Sequence, residues 1–160
     1  MHTTASPLSR SLRLPQRALR LYAAAARLLD RSQPLFALAL RLHVARVFFT
    51  SGTIKIGNWV GTLGLFENEF HVPLLPPHAA AVLGTAAEIG LPVFLVLGLG
   101  TRAAAFALFV FNIVAVISYP DLSDAGLKDH ILWGALLLVT LVYGPGKIAL
   151  DAWTARRLGA

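Results

Sequence analysis

Glu88 is the only charged residue in the apolar run Ala79 to Gly100, a stretch long enough to cross a bilayer. A carboxylate near the bilayer centre costs about 2.5 kcal/mol or more, so it requires a partner or a function such as proton exchange or ligand recognition. Arg46 lies about halfway along its own apolar stretch, as Glu88 does along the next, and antiparallel neighbours would bring the two to similar depth. The expectation is an Arg46–Glu88 ion pair, with Asn112 at comparable depth and His43 on the Arg46 face completing an intramembrane polar centre. Pro92 adds to it. Proline has no amide hydrogen, so the carbonyl four residues earlier, that of Glu88, loses its helical partner. Such a centre suits a substrate or proton site, and it equally suits a buried pair that fixes helix register.

Two weaker groups accompany it. His130 enters an apolar stretch three residues before Trp133 and, with Lys55, is expected at the mouth of the helix assembly. Glu69, His71 and His78 sit between the first two apolar stretches, yet their spacing matches no fixed metal motif, so no metal site is expected. Nucleophile-elbow and dinucleotide-binding patterns are absent, leaving no recognisable catalytic motif.

The elements that must position these residues are helical. Among 160 residues 56% are hydrophobic and 14% charged, against about 25% charged in a soluble domain. Mean hydropathy is +0.67. Four apolar stretches predict an all-α polytopic membrane protein, an antiparallel bundle with approximate spans 35–55, 79–100, 102–119 and 130–146 inside a domain 34–146. Residues 147–160 are expected to form a short cytoplasmic tail. In the first span, His43, Arg46, Thr50, Thr53 and Gly57 share one face, and Arg41, Ala45, Phe48, Gly52 and Lys55 share a second. Both lines are expected to face protein. Arg41 and Lys55 are read as anchors reaching toward opposite membrane surfaces.

The net charge of +6 is distributed unevenly. Arg10, Arg13, Arg17, Arg20, Arg27 and Arg31 precede the first span, Arg102 follows the second, and Lys147, Arg156 and Arg157 follow the fourth. The positive-inside rule then puts both termini in the cytoplasm, across what is read as a bacterial inner membrane. Residues 1–33 read as a basic amphipathic helix on the inner leaflet, with the lipid bilayer as its partner. The same distribution excludes nucleic acid as the partner, despite a sequence pI near 10.5. With no cysteine, thiol and iron–sulfur chemistry are excluded within the chain. Gly84, Ala87 and Gly90 admit close helix contact within one chain or between copies, so a homo-oligomer is admitted.

Arg41, Phe48, Ser51-Gly52 and Lys55, then Glu88, resemble the opening pattern of the DoxX family. Leu97-Gly98 through Thr101-Arg102 is similar to that family's turn, and Tyr143-Gly144-Pro145-Gly146-Lys147 with Leu150-Asp151 resembles its closing signature. The resemblance covers Leu35 to Trp153. It implies a four-helix integral membrane protein associated with membrane redox metabolism, with no agreed catalytic residues. The expected role is therefore an accessory subunit or partner of a membrane oxidoreductase, linked to a quinone through the resemblance and the hydrophobicity; no cofactor is otherwise required. Two other classes stand beside it: a small-molecule or proton-coupled carrier using the Arg46, Glu88 and Asn112 centre, and a scaffold that binds a protein through its external loops.

Overall fold

The computed structural model describes residues 13–158, which are helical with no strand among them. The first twelve residues, including Arg10 of the basic segment, and the last two lie outside the described residues. Helix α1 covers Arg13–Gly57 and carries Pro34 inside. The chain divides there into two units, Met1–Pro34 and Leu35–Ala160. In the first, Leu19, Tyr22, Leu28 and Leu29 are 66–73% exposed. Its side-chain bonds are local, Gln33 donating to Asp30 at 3.0 Å and Ser32 to the Leu29 carbonyl at 2.8 Å.

The second unit holds the rest of α1 and five further helices: α2 Trp59–Asn68, α3 Pro77–Leu97, α4 Thr101–Ser118, α5 Asp124–Tyr143 and α6 Leu150–Leu158. Helices α1, α3, α4 and α5 are long and apolar enough to cross a membrane. Their core is made of Val44, Ala45 and Phe48 from α1, Leu95 from α3, Ala105 and Leu108 from α4, and Leu137 from α5. A smaller cluster sets Phe66 of α2 on Ala80 and Ala81 of α3. Meanwhile Phe36, Ile54, Leu83, Phe106, Ile131 and Val142 are each more than half exposed. Exposed apolar area of this extent, spread over four long helices, is what a bilayer covers. The chain is an integral membrane protein.

Helix ends follow local chemistry. Pro77 in the first turn gives up no needed amide and pre-sets φ, so α3 starts there. It stops at Gly98, whose φ of 68° is the left-handed conformation that glycine adopts without a Cβ penalty. Ser123 caps α5, accepting the Gly126 amide at 3.1 Å, so that helix begins earlier than its apolar stretch suggests and ends at Tyr143 rather than 146. Asn58 caps α2 through the Gly61 amide at 3.1 Å. Thus the connection between the first two spans carries the helix α2, and α6 occupies the expected tail.

The two motifs around Gly98 and Gly144–Asp151 meet at one end of the unit. Asp151 accepts the Gly100 and Thr101 amides, each at 2.8 Å, one on each carboxylate oxygen. Its own amide donates to the Gly98 carbonyl at 2.8 Å. A residue of α6 therefore caps α4, whose own N-cap is a glycine with no side chain to do so. Burial raises the Asp151 carboxyl, but the Thr101 and Gly100 amides and the Arg41 charge outweigh it and hold it below the ordinary carboxylate range. Because the folded value is the lower one, this stabilisation is fully present above about pH 3.9, the unfolded value. It is lost as pH falls through the depressed folded value. Asp151→Asn is expected to cost about 1–2 kcal/mol at neutral pH, with the deficit against wild type closing in acid. Unfolding in detergent followed as a function of pH measures both.

Candidate functional site

The side chains with chemical potential are set by how α1 lies on α3. Of the two polar lines on α1, one alone faces inward: Arg41, Ala45, Phe48 and Gly52 are buried and Lys55 is half-buried, whereas His43, Arg46, Thr50 and Thr53 are exposed. Gly52 explains the choice. A Cβ there would stand 2.7 Å from Ile89 Cγ1 and 3.0 Å from Glu88 Cβ, so only a glycine lets the two helices come this close.

That approach brings Glu88 to Lys55, not to Arg46. Lys55 Nζ lies 2.5 and 2.6 Å from the two Glu88 oxygens, and Ser51 donates to Oε1 at 3.1 Å. Lysine reaches back one helical turn, passing Ser51 Oγ at 3.5 Å. The expected Arg46–Glu88 pair is thereby corrected: Arg46 points outward on the exposed line, and a long side chain from the end of α1 supplies the cation. Glu88 is 6% exposed at its side chain and Lys55 17%, so the pair is largely withdrawn from solvent. Pro92 lies buried inside α3 and offers no amide to the Glu88 carbonyl.

Asn112 belongs to a second pair rather than to Glu88. Its amide nitrogen donates to the His130 carbonyl at 2.9 Å, and its Oδ1 lies 2.7 Å from His130 Nδ1. The His130 ring meets Trp133 edge-on at 4.9 Å, and Trp133 meets Phe48 at 6.1 Å. Arg41 is no surface anchor either. It is 1% exposed, donating through Nη1 to the Leu95 carbonyl at 3.1 Å and through Nη2 to the Ile148 carbonyl.

Between the Lys55–Glu88 pair and the His130 pair lies a cavity of about 680 Å³, bordered by residues of α1 to α5. Its walls are overwhelmingly apolar, Leu91, Phe111 and Val114 among them, and the polar groups on it are few: Ser51, Lys55, Glu88, Ser118, Tyr119 and His130. Ser118 is 1% exposed and its hydroxyl has no partner among the described residues. One end is covered by stacked rings, Phe66 on Phe70 at 4.9 Å and Phe70 on Tyr119 at 5.0 Å. The His71 amide ties this cover to α4 through the Ser118 carbonyl at 2.7 Å, and Thr62 ties α2 to the Lys55 carbonyl at 2.9 Å. The Glu69 charge, ahead of burial and Asp121, raises the Tyr119 phenol above its ordinary range, so the rim carries a neutral hydroxyl.

Glu69, His71 and His78 are exposed. Among the described residues no three His, Asp or Glu side chains gather as metal ligands. Sequence reasoning missed the open Ser118 hydroxyl and the Ser51–Lys55–Glu88 triad. The second left a trace, since Ser51 and Lys55 are one turn apart on one face.

An apolar cavity with a few converging polar groups, enclosed by membrane-spanning helices, defines a class of small integral membrane proteins built around an internal pocket. The particular family follows from comparison: the DoxX family model matches residues 36–120, and the chain belongs to the DoxX family. It is also similar to an uncharacterized protein of Haemophilus influenzae, 29% identical over 123 residues that cover 71% of this chain and 80% of that one. No solved structure matches the chain.

Proposed function

We propose that this protein takes a lipophilic small molecule of the quinone class from the bilayer into its cavity and serves as an accessory subunit of a membrane redox system. The observation that carries this reading is the cavity of about 680 Å³, a volume suited to a ring with a short chain, with walls almost wholly apolar and an unpartnered buried hydroxyl at Ser118. Phe111 and Trp133 would flank the ring and His130 and Ser118 would meet its oxygens. A quinone, when bound, supplies carriage of two electrons and two protons, which no side chain of a cysteine-free chain can provide. The protein's own contribution is to bind, orient and keep water out.

In this reading the four long helices form an antiparallel bundle, 34–146, in a bacterial cytoplasmic membrane with both termini inside. Support comes from Arg102, which donates to the Val142 carbonyl at 3.4 Å, and from Arg156, which donates to the Lys147 carbonyl at 3.4 Å: these cations lie with Asp151 at the Gly98 end. The basic helical residues 13–33 would then lie on the inner leaflet. The carrier reading has less support, because Arg46, Glu88 and Asn112 do not face one space.

Purification from native membranes with mass spectrometry of the bound lipid fraction tests the proposal. A quinone or quinol should co-purify, along with an oxidoreductase. Gly84→Leu should lower ligand occupancy about tenfold or more while the fold persists, since a Cβ at Gly84 makes ordinary contacts of 3.6 Å with Phe66 and 3.7 Å with Phe111, and the rest of the side chain fills the cavity. Purified protein with neither a quinone nor an oxidoreductase would sink the reading.

A further inference from the structure

The polar groups bordering the cavity differ in what they have left to offer. Glu88 receives two contacts from the Lys55 ammonium and one from the Ser51 hydroxyl, so that the Ser51 proton is committed and the ammonium is turned onto the carboxylate. That pole is closed. The His130 pole is open, and Asn112 determines how. The carbonyl of His130 can only accept, so the group 2.9 Å from it must be the Asn112 NH2. The other end of the amide, Oδ1, can also only accept, and it stands 2.7 Å from His130 Nδ1. Nδ1 therefore carries the proton, and in the neutral imidazole Nε2 presents a lone pair. Nε2 makes no hydrogen bond among the described residues, and His130 borders the cavity. The Ser118 hydroxyl, which borders the same cavity and has no partner among the described residues, can donate or accept.

We propose that the cavity selects lipophilic molecules bearing a free hydroxyl, whose proton is donated to His130 Nε2, over the same molecules with that oxygen methylated or oxidised to a carbonyl. This rests on the cavity being the ligand site proposed above. A carbonyl or ether oxygen would face the Nε2 lone pair and leave two acceptors opposed in an apolar enclosure, which is the arrangement that buried polar groups penalise most. Within the quinone class the preference is for the reduced, diol form. Asn112 is the positioning residue, since it fixes the tautomer without touching the ligand.

Trimethylhydroquinone, its dimethyl ether and the corresponding quinone are the probes, with binding to the protein in lipid nanodiscs measured by equilibrium dialysis under anaerobic conditions and empty nanodiscs correcting for partition. The diol should bind about tenfold more tightly than the ether or the quinone, the worth of one buried hydrogen bond. In His130→Phe that preference should vanish while ether affinity is retained, which also reports an intact cavity. Asn112→Leu keeps the imidazole but releases its tautomer, and the preference should fall several-fold. Equal binding of all three probes to wild type overturns the hydroxyl selection and leaves the cavity reading standing. Saturable binding of none of them overturns both. An undiminished preference in His130→Phe assigns the selection to another group and refutes the role of Nε2.

Discussion

Replacing Arg41 by methionine should destabilise the protein by about 3–5 kcal/mol, the largest effect expected of any single substitution at the Gly98 end. Two charge-assisted hydrogen bonds disappear, one to the Leu95 carbonyl at the end of α3 and one to the Ile148 carbonyl before α6. Such bonds contribute about 1.5–3 kcal/mol each, and the one to Leu95 is buried. The Leu95 oxygen is among the last four of its helix, where it accepts the Gly98 amide at 3.3 Å and the dipole favours a cation on its remaining lone pair. Gly98 makes room for this, because a Cβ there would be 2.5 Å from Nη1. Lysine is a poor substitute: its single ammonium lacks the planar fork that spans two carbonyls, and Arg41→Lys should still lose about 1.5–3 kcal/mol. Arg46→Met is the control. Arg46 is exposed midway along a membrane-spanning helix, so its removal should cost no stability and, by taking a charge out of the span, should if anything raise it. Denaturant unfolding in mixed micelles measures all three, and an Arg41→Met protein within about 1 kcal/mol of wild type would show that the clasp contributes little.

The contrast between Arg41 and Arg46 shows where reading the sequence succeeds and where it stops. Four long apolar helices were legible from hydropathy because burial in lipid demands length and composition, both of which are local properties. Two polar lines on α1 were legible from helical periodicity as well. Which of them turns inward was not, since both carry one arginine and apolar or small neighbours, and the decision lies with a partner helix. Gly52 held the clue: it lies inside the span, whereas the other line's Gly57 is the last residue of α1, so the Gly52 line is the one that can meet α3 closely. Equal depth of Cα atoms suggested Arg46 for Glu88. What depth omits is reach, for Lys55 lies near the end of α1 and spans back a full turn.

The family-like motifs illustrate the same limit. Arg41, the Gly98 turn and Asp151 are far apart in sequence, and nothing local says that they form one clasp. Likewise Ser51, Gly52, Lys55 and Glu88 form one constellation beside the cavity. One signature thus resolves into two pieces, a clasp that closes one end of the helices and a pair that borders the pocket. The short helices α2 and α6 escaped because hydropathy detects spans rather than helices, and their signals were Asn58 as an N-cap and Asp151 in a first turn.

Lys55 and Glu88 should be energetically coupled, and unequally exposed partners make the two single substitutions differ. Lys55→Met leaves a carboxylate with only Ser51 as donor at 6% exposure, and a buried charge stripped of its counter-ion typically costs about 3–5 kcal/mol. Glu88→Gln leaves the ammonium, which at 17% exposure and on a four-carbon stem can swing toward the Gly57 end of α1. Its cost should be nearer about 1–2 kcal/mol. In the double variant both charges are gone and Ser51 can still donate to the amide oxygen that replaces the carboxylate, so stability should return to within about 1 kcal/mol of Glu88→Gln alone. The cycle then yields a coupling of about 3–5 kcal/mol, far above the value for an exposed pair. Additive losses would mean that the two side chains do not act as a pair. The same variants separate structure from ligand handling. Because the pair is closed on itself, the double variant should retain its bound ligand, whereas a carrier that moves a proton through Glu88 would lose flux in Glu88→Gln with the fold intact. Helix register, on this account, is what the pair contributes: it locks α1 against α3 at the depth where Gly52 lets them touch, and so sets the width of the pocket that His130 faces.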